Sequence, residues 1–179
     1  MDEVVSPGAR PPAAIVLMGV AGSGKSVAGS RLAAELGYRF IEGDQLHPPE
    51  NVARMASGEP LTDAHRWGWL DTIGERLASS LATGHGAVAA CSALKRIYRD
   101  RLRGKCPEVI FIYIAIDRET ARTRVQLRKG HFMPPSLVDS QFATLEPPVK
   151  NEDALTLDGT RPVGDLVAEM LRYLGEPVS

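Results

Sequence analysis

The sequence of 179 residues predicts an α/β fold, a five-stranded parallel sheet with helices on both faces, and three observations carry that expectation. Short apolar runs alternate with amphipathic helical patterns, which is how crossover helices connect parallel strands. The first apolar run leads straight into Gly19-Val20-Ala21-Gly22-Ser23-Gly24-Lys25-Ser26, a G-x-x-x-x-G-K-[ST] phosphate-binding loop, and a helical pattern follows it. Two long polar segments interrupt the alternation, as substrate flaps and lids do.

Residues 1–12, with Pro7, Gly8, Pro11 and Pro12, lack periodic apolar content and are expected to form a mobile tail; one domain is expected over 13–179. Ala14-Ile15-Val16-Leu17-Met18 reads as a buried strand. Val27, Ala28, Leu32, Ala33 and Leu36 then recur at helical spacing. Tyr38 to Glu42 reads as the second strand, Ala87 to Cys91 as the third, Val109 to Ile114 as the fourth and Ala154 to Leu157 as the fifth. Between them, Asp63 to Ala82, Arg118 to Leu127 and Val163 to Leu174 are amphipathic; the first carries Trp69, Leu70, Ile73, Leu77 and Leu81 on one face. One insertion, 43–62, holds Asp44, His47, Asn51 and Arg54; the other, 128–148, holds Lys129, His131 and Gln141. Ligands of such a sheet sit at the carboxyl ends of its strands, where Gly19, Asp44, Ser92 and Asp158 emerge.

Composition narrows the function. Lys plus Arg total 21 against 22 Asp plus Glu, so no global basic field exists to hold nucleic acid or an anionic membrane. The N-terminal apolar run is too short to span a bilayer. Cys91 and Cys106 have neither C-x-x-C spacing nor a secretory context, which suits a reducing cytoplasm.

The loop has a job for each position. Its glycines let backbone N–H groups from Gly19, Val20, Ala21, Gly22, Ser23 and Gly24 turn around the phosphates of a nucleoside triphosphate; Lys25 neutralises β/γ charge and the Ser26 hydroxyl can ligate Mg²⁺. A helix N-terminus behind it adds unpaired donors and a positive dipole end. A glycine-rich turn without ligand is the plain alternative, but Lys25 and Ser26 would be an odd choice for packing alone. The third strand ends in Ala90-Cys91 rather than aspartate, so Ser26, phosphate oxygens and waters are left to hold the ion. Asp44, just past the second strand and beside the loop, is the candidate to orient and deprotonate an attacking hydroxyl, with Glu42 as competing carboxylate.

A phosphate loop is shared by switches, motors and small-molecule kinases. Here it is followed by Gly43-Asp44-Gln45-Leu46-His47-Pro48, Met55 to Asp63, Cys91-Ser92-Ala93-Leu94-Lys95 with Tyr98-Arg99-Asp100, Gly130-His131-Phe132-Met133, Ser140-Gln141-Phe142 and Leu145-Glu146-Pro147. This series, spanning Ile15 to Pro148, resembles the gluconokinase family. The resemblance implies a three-layer P-loop kinase fold, transfer of the γ-phosphoryl group of ATP to the 6-hydroxyl of D-gluconate, and a homodimer. Gluconate is a polyol carboxylate, so its site calls for cations and mixed donors and acceptors. Arg54, Arg66, Lys95 and Arg99 would supply the former, and Asp44, His47 and Ser92 the latter. Arg54 and Arg99 read equally well as solvated groups on polar helix faces, His47 as a loop cap and Ser92 as a helix start. Arg124 and Arg128, one helical turn apart, match family arginines that reach the β/γ-phosphates when a lid closes.

The chain also departs from the family's Asp-x-Asp-Arg-x-Pro-Trp-Leu pattern, with His65 for the second acid and Gly68 for the proline. The first change removes a carboxylate near the expected acceptor site, which puts the choice of aldonic acid in question. Asp71-Thr72-Ile73-Gly74 matches a GTPase D-x-x-G, but it lies inside an amphipathic helix and no N-K-x-D occurs. Shikimate-like and nucleoside monophosphate kinases of the same fold, and a nucleotide-binding regulatory module, are the remaining alternatives.

Overall fold

The computed structural model describes residues 11–130 and 134–175; nearly all of the expected tail, and His131, lie outside the described residues. Strands β1 (Ala14–Met18), β2 (Arg39–Glu42), β3 (Ala87–Ala90), β4 (Ile110–Ala115) and β5 (Leu155–Asp158) form one parallel sheet in the order β2-β3-β1-β4-β5. All five expected strands are present, each within one residue of the expected limits.

Period-two alternation assigns the two faces. Ala14, Val16 and Met18 of β1 and Phe111 and Tyr113 of β4 pack against α3 (Asp63–Ala82) and α4 (Arg96–Lys105), through Trp69, Ile73, Leu77, Tyr98 and Leu102. Ile15, Leu17, Ile112 and Ile114 face the other way, onto α1 (Lys25–Leu36) and α7 (Val163–Tyr173), meeting Leu32, Leu166 and Met170. A strand buried on both faces reads as an uninterrupted apolar run, which is why AIVLM was legible as β1.

A third cluster lies beyond the carboxyl edge of the sheet. There Val20 and Ala21 of the phosphate loop meet Met55 of α2 (Pro49–Ala56), Ala121 and Val125 of α5 (Arg118–Leu127), and Leu137 and Val138 of α6 (Ser136–Thr144). The two polar insertions are therefore not loose loops: each contributes a short helix, α2 or α6, whose apolar side closes over the phosphate loop. α4 has Tyr98 and Leu102 as its buried apolar residues and six charged residues in ten, so its apolar periodicity is faint.

Gly43 shows how the chain is turned into the site. A Cβ there would sit 2.3 Å from the carbonyl oxygen of Ala90. Only glycine lets the chain leaving β2 press this close to β3 and enter the 3-10 turn Gly43–Leu46 that carries Asp44.

Candidate active site

The phosphate loop joins β1, in the middle of the sheet, to the N-terminus of α1. Gly22 has φ 81°, and a Cβ on it would meet the Ala121 carbonyl oxygen at 2.9 Å, so loop and α5 approach at backbone distance. Arg124 of α5 donates to the Gly22 carbonyl at 3.2 Å, which sets its guanidinium against the loop. Lys25 is only 8% exposed, and its Nζ reaches the Val20 carbonyl at 3.4 Å. Ser23 Oγ is buried without a hydrogen-bond partner. A buried cation held by one long contact and an orphaned buried hydroxyl, at a helix N-terminus, fit a polyphosphate. Ser26, at the second position of α1, is partly open, as a hydroxyl that ligates Mg²⁺ has to be. Among the described residues no group of three or more His, Cys, Asp or Glu side chains could hold a metal by itself, so these donors suit an ion shared with phosphate oxygens.

Beside the loop, under β2 and β3, lies a polar pocket. It is lined by Lys25, Asp44, His47, Arg66, Ser92 and Gln141, with Trp69, Met55 and Leu61 as its apolar wall. Five residues singled out in the sequence, Lys25, Asp44, His47, Arg66 and Ser92, thus meet in one place. Glu42 does not line it. The pocket's roughly 20 Å³ is room for about one water. Gln141 closes it from α6, accepting a hydrogen bond from the Ala21 N–H at 2.7 Å.

Trp69 is the pivot of the pocket. Its Nε1 donates to the Gly43 carbonyl at 2.7 Å, pinning the turn that carries Asp44, and its ring stacks on His47 at 4.0 Å. Asn51, buried on α2, contacts His47 Nδ1 at 3.3 Å and donates to the His65 carbonyl at 2.8 Å, tying α2 to α3. Burial pushes the His47 imidazole down to about 4, with Asp44 pulling upward and Arg66 pushing further down. His47 is therefore neutral at physiological pH and offers one donor and one acceptor.

A charged network extends from the pocket to Lys95. Arg66 Nη1 donates to Tyr98 Oη at 3.2 Å, Tyr98 Oη donates to Asp63 Oδ1 at 2.5 Å, and Lys95 Nζ donates to the same carboxylate at 3.0 Å. The hydrogen bonds from Tyr98 and Lys95 hold Asp63 below the ordinary carboxylate range, while burial, and then Asp63, push the Tyr98 hydroxyl up. Burial lowers Arg66.

Other expected site residues lie elsewhere. Arg54 is on α2 but points to Glu59, at 2.7 Å, and does not line the pocket. Arg99 is 1% exposed and saturated by Glu152 and by backbone carbonyls, so it is neither a substrate ligand nor a solvated surface group. Arg128 is not one turn along the same helix from Arg124: α5 ends at Leu127, and Arg128 has extended backbone, φ −78° and ψ 123°, with an exposed side chain. The His65 departure also takes a different meaning. Its Nδ1 accepts from the Thr62 N–H at 3.1 Å and its own N–H donates to Thr62 Oγ1 at 3.4 Å, so His65 completes the N-cap of α3. Asn51, Tyr98, Trp69 and Gln141 carry contacts that the sequence did not assign; Tyr98 and Gln141 lie in the segments that carried the resemblance, and Trp69 reads as core. A second, open cleft of about 490 Å³ lies across the sheet at the ends of β4 and β5, between Asp117, Asp158 and Thr160.

The parallel sheet, the phosphate loop after its central strand and the polar pocket beside it define a P-loop phosphotransferase. A family model described as an AAA domain matches residues 15–148. The gluconokinase of Gluconobacter oxydans is 44% identical over 90% of this chain and 91% of its own length. Two crystal structures superpose closely: a gluconokinase from Sinorhizobium meliloti, with TM-score 0.82 and 46% identity over 93% of this chain and 94% of the other, and an unliganded sugar kinase from Janibacter, with TM-score 0.87 and 42% identity over 92% and 95%. The chain belongs to the gluconokinase family.

Proposed function

We propose that this protein is a gluconokinase, transferring the γ-phosphoryl group of ATP to the 6-hydroxyl of D-gluconate to give 6-phospho-D-gluconate and ADP. The observation that carries the reading is the pocket itself. A carboxylate, a neutral imidazole, a hydroxyl and an arginine converge within reach of the phosphate-loop lysine. That set suits a polyol with one anionic end, for which the pocket, closed here to the volume of about one water, has to widen. Arg66 supplies positive charge for the carboxylate; Asp44, His47 and Ser92 supply acceptors and donors for the hydroxyls. Lys95, tied through Asp63 and Tyr98 to Arg66, adds a second cation at the pocket's edge.

ATP is assigned to the phosphate loop, with its base toward the open cleft between β4 and β5, because the acceptor pocket occupies the opposite side of the loop. Phosphoryl transfer through a loose transition state is served by alignment and charge neutralisation. Lys25 faces the β/γ-phosphates, Arg124 approaches from α5, and Asp44 holds the attacking hydroxyl and takes its proton at a carboxylate oxygen. When bound, Mg²⁺ draws negative charge from the phosphate oxygens; Ser26 is the side chain that would hold it. A homodimer in the cytoplasm completes the reading. The dimer rests on the family likeness, and the location on the free thiols Cys91 and Cys106 and on the finding that no helix among the described residues is long and apolar enough to cross a membrane.

The test is steady-state turnover of the purified protein with ATP and Mg²⁺ against gluconate, other aldonates, shikimate, AMP and water. Gluconate is expected to give the highest kcat/KM. Turnover of another acceptor with gluconate inert would overturn the assignment.

A further inference from the structure

Arg99 and Glu152 form a buried ion pair that the chemistry above does not use. Each side chain is 1% exposed; Arg99 Nη2 donates to Glu152 Oε2 at 2.8 Å and Nε to Oε1 at 3.2 Å. Burial pushes the Glu152 carboxyl up, but the Arg99 hydrogen bonds and charge outweigh it, and the group stays below its usual range. Glu152 Oε1 also lies 3.7 Å from Arg96 Nε and 3.9 Å from Arg103 Nη1, and its Oε2 accepts from the Val149 N–H at 3.3 Å. A buried pair is nonetheless a weak source of stability, because desolvation offsets the attraction and apolar replacement is often neutral. Its other contacts are more telling. Arg99 Nη1 donates to two backbone carbonyls, Ala93 at 3.0 Å and Leu94 at 3.2 Å.

Those carbonyls belong to the loop between β3 and α4 that carries Ser92 and Lys95. Ala93 has φ 42°, a left-handed conformation that alanine avoids and that persists only where its surroundings impose it. Leu94 is gripped again from the far side: its carbonyl accepts from the Glu146 N–H at 2.8 Å, and Glu146 Oε2 accepts from the Arg96 N–H at 2.8 Å. The same loop is tied to the phosphate loop, with the Gly19 N–H donating to the Ser92 carbonyl at 3.2 Å. Glu152 lies in the 3-10 turn Lys150–Glu152, so the brace joins chain following α6 to the loop that presents acceptor residues.

We propose that Arg99, fixed by Glu152, is a positioning residue. It holds residues 92–95 in their strained turn, so that Ser92 and Lys95 face the acceptor at a fixed distance from the phosphate loop. The proposal rests on the acceptor site described above and adds a residue that never touches substrate.

A paired apolar replacement, Arg99→Met with Glu152→Leu, separates positioning from stability; Arg99→Lys and Glu152→Gln accompany it. The wild type is assayed first: if gluconate is inert, the functional reading fails, and the variants are compared on whichever acceptor is turned over. The expected result is a folded double variant with a Tm lowered modestly, because Glu152→Leu also removes the acceptor of the Val149 N–H. Its acceptor kcat/KM should fall by on the order of 10²-fold, the effect of a small misplacement of a reacting group, with KM for ATP close to wild type. Arg99→Lys should recover part of the loss, since an ammonium can still donate to the two carbonyls. Wild-type acceptor kcat/KM in the double variant, or an equal loss in acceptor and ATP affinity, would overturn the proposal. If the double variant does not fold, Glu152→Gln decides: a selective rise in acceptor KM supports positioning, and an unchanged KM refutes it.

Discussion

Asp44 stands between two tests of role, because it lies both beside Lys25 and within the acceptor pocket. Asp44→Asn keeps the shape and removes the charge that would accept a proton. We expect kcat to fall by roughly 10²- to 10⁴-fold, as for a lost general base, with ATP affinity little changed. A large loss of Mg·ATP affinity in that variant would make Asp44 a metal-site residue instead. Lys25→Ala should abolish turnover while leaving the thermal melt in place, because the side chain faces the phosphate site and not the sheet; near-native kcat would remove the loop from the chemistry. His47, held neutral with its pKa near 4 rather than 6.5, should leave no inflection around pH 6.5 in the gluconate kcat/KM profile. An inflection there that disappears in His47→Gln would contradict the buried, stacked imidazole. Lys25, Ser26 and Asp44 were legible from sequence because a motif or a strand end fixes where they emerge. Arg99 was not, since its partner Glu152 is 53 residues away and only tertiary packing reveals that a helix arginine points inward.

Helix α3 shows how an element absorbs a family departure. Its full length, Asp63–Ala82, was legible because a long amphipathic stripe leaves little ambiguity of period. The consequence of His65 was not, because a cap is read from hydrogen bonds rather than from residue type. Gly68 lies on the exposed side of α3, and a Cβ there would meet nothing within 4 Å. Gly68→Ala should therefore raise stability by up to about 1 kcal/mol, the helix-propensity difference, without changing the gluconate KM. Urea unfolding gives the first quantity and steady-state kinetics the second. A lowered midpoint would show that α3 needs the glycine. α2 and α6 were expected only as polar insertions; their apolar residues pack on the phosphate loop rather than the sheet, so neither shows a core-helix periodicity.

At the scale of the whole molecule, strand order places the phosphate loop between an acceptor pocket on the β2–β3 side and an open cleft on the β4–β5 side. The strands themselves were legible from apolar runs, whereas their order in the sheet, set by crossovers around β1, is a property of packing. Acid should lower the protein's stability in two stages that follow from the signs of its shifts. Between pH 6.5 and about 4 the unfolded chain takes up a proton at His47 that the fold refuses, so stability falls as pH falls through that window. Below it, Asp63, Asp71 and Glu152, all held low in the fold, lose their contribution as they are protonated. A melting temperature that is flat from pH 6.5 to 4 would contradict the first stage. The central claim, that this pocket and loop pass a phosphoryl group to gluconate, is tested most directly by the product. The purified protein is incubated with ATP, Mg²⁺ and ¹³C-labelled D-gluconate, and phosphorus and carbon NMR are recorded. The account predicts ADP and a phosphate monoester on the terminal carbon of gluconate in equal amounts, and none with Lys25→Ala; ADP with inorganic phosphate and unmodified gluconate would contradict it.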